Sequence, residues 1–119
     1  TGPETTGGGA SRGTGTEDAA AAAARADYFR ELGAWFERHK RYPRQARLRR
    51  QEGSVLLALT LGRDGRVLDY AIREPSGHPL LDEAVLDMVE GAPRLPAFPP
   101  ALQQEALQVL VPIRFRLRG

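Results

Sequence analysis

The closing segment Val109-Leu110-Val111-Pro112-Ile113-Arg114-Phe115 decides how this chain is read. Apolar residues recur at every second position, the period of a half-buried strand. Val109, Val111, Ile113 and Phe115 share one face, which predicts a side turned toward helices. Pro112 has no N–H to donate, so it belongs on an edge strand or at a bulge. Backbone groups of alternate residues point to opposite neighbours. If Pro112 faces a free edge, Leu110 and Arg114 face it too, while the other set pairs inward. An open edge on a small sheet is a docking site for another extended peptide.

Working backwards, Ala106 or Leu107 begins this strand, after a proline-rich connector containing Pro93, Pro96, Pro99 and Pro100. Before the connector, Pro79 suits the first position of a helix. Leu81, Ala84, Val85, Met88 and Val89 form that helix's apolar face, and Gly91 is expected to end it in a left-handed cap. Further back, Gly53 to Leu61 alternates as a strand, with Val55, Leu57, Leu59 and Leu61 on one side. Arg63-Asp64-Gly65-Arg66 is a turn in which Gly65 supplies positive φ. Val67 to Arg73 returns, and its broken alternation calls for a bulge near Leu68-Asp69. Tyr28, Phe29, Leu32, Trp35 and Phe36 form the stripe of an earlier helix that should stop by Tyr42, because Pro43 disfavours α geometry before it.

These elements predict an α+β domain of two layers, a small three-stranded antiparallel sheet with two helices packed on one face. Residues 1–16, rich in Gly and Thr, read as a flexible linker. Residues 17–27 read as an alanine-rich helical extension opened by a Thr16 cap, and 28–119 as the domain.

Composition narrows function by exclusion. The net charge is +2, from 17 basic and 15 acidic residues, so no whole-molecule field points to nucleic acid. From Arg38 to Arg50 seven basic residues occur without an acid. Only Tyr42 interrupts them as an aromatic, and no recognition helix accompanies them. Cysteine is absent, so neither disulfides nor Cys-bound metal are expected. His39 and His78 lack a second ligand at metal spacing. Asp82 and Glu83 are adjacent and diverge, so they form no acid–base dyad. No cofactor, metal or catalytic residue is expected, and a binding module is favoured over an enzyme. No apolar run is long enough to span a bilayer, and the first residues look like a cut within a longer chain.

One family has this order of motifs. Tyr42-Pro43-x-x-Ala46, Gly53-x-Val55, Asp64-Gly65-Arg66-Val67, Ser76-Gly77, Leu81-Asp82-x-Ala84 and Val111-Pro112-Ile113-x-Phe115 together resemble the C-terminal domain of TonB, over residues 28–118. The resemblance implies a domain in the periplasm, anchored to the inner membrane by a helix outside this sequence and driven through the ExbB and ExbD proteins. It implies that the domain binds the TonB-box peptide of an outer-membrane receptor by strand addition, for uptake of siderophores, haem or cobalamin. The peptide-binding edge then maps onto Val109, Leu110, Val111, Pro112, Ile113, Arg114 and Phe115. The receptor contact before Tyr-Pro maps onto His39, Lys40, Arg41 and Tyr42. His39-Lys40-Arg41 departs from the enteric pattern, which suggests a specialised paralogue, for haem among other cargoes. A homodimer through the same edge is a further expectation. A TolA-like coupler or cell-wall binder is the alternative.

Overall fold

The computed structural model describes residues 12–92 and 94–118, with side chains from Ala19 onward. The linker expected at its beginning lies largely outside the described residues. In chain order the elements are α1 (Arg12–His39), α2 (Arg44–Leu48), β1 (Gly53–Gly62), β2 (Val67–Glu74), α3 (Pro79–Gly91) and β3 (Ala106–Phe115). The strands form one antiparallel sheet in the order β2-β1-β3. Helices α1 and α3 lie on one face of it, in the two-layer α+β arrangement expected.

The core is where the two layers meet. From α1 it takes Tyr28, Leu32 and Phe36, and from α3 Leu81, Val85 and Val89. From the sheet it takes Val55, Leu57, Leu59 and Leu61 of β1 and Val109, Val111, Ile113 and Phe115 of β3. The alternating residues thus fill one continuous core, since a one-residue slip would turn the whole set outward. The returning strand behaves as its broken period demands. Thr60 pairs with Asp69 and Leu61 with Val67, which leaves Leu68 as the extra residue of a bulge. A second irregularity skips Arg73, between the pairs Leu56–Glu74 and Leu57–Ile72.

Four expectations change. Helix α1 begins at Arg12, so Thr16 and its acids sit inside the helix rather than at its cap, because extending a helix costs far less than nucleating one. The buried stripe of α1 is narrower than the sequence suggests: Phe29 is 43 % exposed, and Trp35 only part-buried. Gly91 remains within α3, and Ala92 follows with φ −84° and ψ 122°. That extended geometry is what a residue preceding proline adopts, so Pro93 rather than a left-handed glycine stops the helix. Finally α2, five residues long, adds a third helix where a connector was expected. It is too short to show periodicity, and only Ala46 of it is buried.

The connector from α3 to β3 is tied down from several sides. Tyr28 donates from its hydroxyl to the Pro96 carbonyl at 2.8 Å, and its ring meets Phe98 edge-on at 5.2 Å. Leu95 N–H donates to Gly65 at 2.9 Å, and Phe98 N–H to Arg63 at 3.0 Å. Gly65 has φ +87°, and a Cβ there would stand 2.0 Å from the Leu95 carbonyl oxygen. Both the turn and the close approach require glycine. The Arg63 guanidinium also donates to the Gln103 carbonyl at 2.9 Å. The β1–β2 hairpin tip therefore sets where β3 starts.

Candidate functional site

β3 pairs with β1 over ten consecutive residues without a register shift, from Gly53–Phe115 to Gly62–Ala106. Its other side has no strand neighbour among the described residues, because β3 is last in the sheet. Val109, Val111, Ile113 and Phe115 are buried, whereas Gln108, Leu110, Pro112 and Arg114 are exposed. Leu110 is 48 % exposed, a large apolar side chain on the face that no described helix covers. Beside it on that face lie Leu56 and Ala58 of β1 and Ala71 of β2, through the cross-strand pairs Leu56–Pro112, Ala58–Leu110 and Ala58–Ala71. The free edge is thus bordered by a shallow apolar strip.

The backbone direction at this edge follows from one contact. The Arg114 carbonyl accepts a hydrogen bond from the Lys40 ammonium. A carbonyl engaged from outside the sheet points away from β1, so its alternation partners Pro112, Leu110 and Gln108 point the same way. Pro112 therefore spends its missing donor on the free side, where no internal hydrogen bond is lost. Leu110 keeps both its N–H and its C=O turned outward. An extended peptide can pair there by ordinary ladder bonds.

The residues before Tyr42-Pro43 do not act as one patch. Lys40 and Tyr42 turn toward β3. The Tyr42 ring meets Phe115 edge-on at 5.4 Å, and its hydroxyl donates to the Gln51 carbonyl. Burial and then the nearby Glu52 raise the Tyr42 pKa, against an opposing pull from Arg47. His39 turns the other way. Its ring stacks on Trp35 at 4.0 Å with the planes 17° apart. The Trp35 carbonyl lies 2.8 Å from its Nδ1, and a carbonyl can only accept, so the proton sits on Nδ1. His39, Arg41 and Trp35 line a groove of about 700 Å³ between α1 and α3, with Ala84 and Met88 opposite. Sequence reading missed this groove. The stripe signal gave Trp35 to the core, and nothing in periodicity distinguishes a rim position from a buried one.

The described residues offer no group of three or more His, Cys, Asp or Glu that could hold a metal. No described helix is long and apolar enough to cross a membrane. What the chain presents is an edge, an apolar strip and a cationic end.

Residues 38–117 match the family model described as the Gram-negative bacterial TonB protein C-terminal. Protein TonB of Haemophilus influenzae is 36 % identical over 77 residues, covering 65 % of this chain and 27 % of that protein. Protein TonB of Pseudomonas putida is 35 % identical over 81 residues, covering 67 % of this chain and 33 % of that protein. The chain thus spans a third or less of the length of these relatives. The solution structure of the Helicobacter pylori TonB C-terminal domain superposes with a TM-score of 0.65 at 26 % identity, covering 78 % of this chain and 83 % of that one.

Proposed function

The chain belongs to the TonB C-terminal domain family, and from that membership we propose that it is the receptor-binding domain of a periplasmic energy transducer. Its free β3 edge takes the TonB-box peptide of an outer-membrane receptor as an added strand. Force from an inner-membrane complex of the ExbB and ExbD type, applied through the part of the protein outside this sequence, then opens the receptor for siderophores, haem or cobalamin.

The supporting observation is the unbroken ten-residue pairing of β3 with a free opposite side. A visiting strand could form about four ladder hydrogen bonds, each worth about 1 kcal/mol net. Ordering the peptide costs about 1 kcal/mol per residue, so pairing alone is weak. Contact with Leu110, Leu56 and Ala58 adds apolar burial, and contacts beyond the strand must supply the rest of a micromolar affinity. His39 and Arg41, on the groove side, are then free to touch a folded part of the receptor while Lys40 and Tyr42 border the peptide.

The test is an amide-shift titration with box peptides from the same genome. The Leu110 and Arg114 amides should move most. Peptides N-methylated at alternate residues should lose binding in one phase of methylation and keep it in the other. Equal loss in both phases, or a site confined to the α1–α3 groove, would overturn strand addition.

A further inference from the structure

One rung of the free edge is already filled. Lys40 is the single lysine among 17 basic residues, and it stands one position past the end of α1. Its side chain crosses to β3, only 18 % exposed. The ammonium donates to the Arg114 carbonyl and to the two Glu37 carboxylate oxygens at 3.1 and 3.2 Å. It lies 5.5 Å from the centre of the Phe115 ring. All three ammonium donors thus have acceptors within the chain. The Arg114 carbonyl is the acceptor that a visiting strand would need for its last rung.

We propose that Lys40 gates this rung, confining a visiting strand to the backbone from Gln108 to the Arg114 N–H unless that strand brings a carboxylate beside Arg114. The inference rests on the strand-docking reading above. A hydrogen bond from an ammonium is roughly twice as strong as one from a neutral amide. A neutral strand that displaces Lys40 therefore exchanges a strong bond for a weak one. A strand with an acidic side chain at that rung gives the ammonium a new partner as it leaves the carbonyl. The surroundings favour such a strand. Arg114 itself and Arg116 are exposed at this end, and neither forms an ion pair among the described residues. The other end of β3 is preceded by Glu105, whose carboxylate pairs with Arg63 at 3.5 Å, and carries the neutral Gln108. The edge thus has an electrical direction, and Lys40 sits at its cationic end.

The single lysine makes the test direct. Protein labelled with 15N only at lysine gives one ammonium signal, and Lys40→Met keeps the stem over Phe115 while removing the charge. In the free protein the ammonium signal should be sharp from slowed exchange, and Lys40→Met should shift the Arg114 carbonyl carbon. Box hexapeptides, acetylated and amidated, are then compared with Glu or Gln at either end. The parent should prefer one Glu version over its Gln twin by about fivefold, and Lys40→Met should reduce that preference below about twofold. Lys40→Met should also bind the Gln twin about threefold more tightly. An Arg114 carbonyl signal unmoved by the substitution overturns the gate, whatever the peptides do. A Glu preference unchanged in Lys40→Met overturns its selectivity. If the carbonyl moves but no peptide binds either protein, the strand-docking reading falls and the gate's selectivity with it, while the internal bond stands.

Discussion

The sheet has two edges, and they are built differently. β2 meets β1 with two register irregularities in eight residues, and it carries Asp69, Arg73 and Glu74. β3 meets β1 through ten unbroken pairs, and its charge within the strand is Arg114 alone. A bulge bends a strand and breaks the even row of outward N–H and C=O groups. Charges and bulges are how natural sheets blunt an edge against pairing. The same molecule thus closes one side of its sheet and leaves the other regular. The lesson is that an open edge is a matter of register as well as of position in the sheet order.

The comparison breaks first on burial. Phe115→Ala at the end of β3 removes a ring that is 1 % exposed and should cost about 3–5 kcal/mol. Leu68→Ala at the β2 bulge, 54 % exposed, should stay within about 0.5 kcal/mol. Urea denaturation of both measures the contrast, and equal losses would mean that the two edges are anchored alike.

A second test asks whether the edges are independent. Gly65→Ala lies in the β1–β2 turn, yet its Cβ would strike the Leu95 carbonyl of the connector that leads to β3. With positive φ added, the cost should be about 2–3 kcal/mol. Amide exchange should rise in the connector and at the start of β3 as well as in the turn. Exchange confined to the turn would show that the hairpin does not position β3.

The third test concerns binding. Leu110→Pro removes one outward donor and should weaken a box peptide by about 1–2 kcal/mol, read by calorimetry. Leu68→Pro, at a bulge where proline is tolerated, should leave peptide affinity unchanged. Reversed results would assign the docking edge to β2.

The last effect is confined to alkaline pH. Burial, and then Glu31, push the Tyr28 pKa from 10.0 up to about 12. The folded state therefore holds this proton more tightly than the unfolded chain does. Its contribution is complete below pH 10 and is lost as pH rises toward 12. Ultraviolet titration should show Tyr28 ionising late, together with loosening of the connector at Pro96. In Tyr28→Phe the decline in stability across that window should be shallower.

Much of this arrangement is legible in the chain. Alternation in β1 and β3 identified both strands and their inner faces, because a period of two leaves no choice once one side is buried. The broken alternation of Val67, Tyr70 and Ile72 located the first bulge at Leu68. The second, at Arg73, left no trace, since a skipped residue near a strand end disturbs no hydrophobic pattern. Pro112 marked the edge because a missing N–H is tolerated only where no partner waits. The division of His39, Lys40, Arg41 and Tyr42 between two surfaces was not legible. Four successive residues leaving a helix diverge according to φ and ψ that depend on what each side chain finds to pack against.

Local chemistry therefore determined the elements, their faces and the candidate edge of this protein, because periodicity, proline and glycine act over a few residues. Only the packed structure decided that β3 stands beside β1 with one flank free, that Trp35 rims a groove, and that Lys40 reaches across to Arg114. Those outcomes join residues separated by as much as 74 positions, and such distances are closed by the core rather than by any local preference.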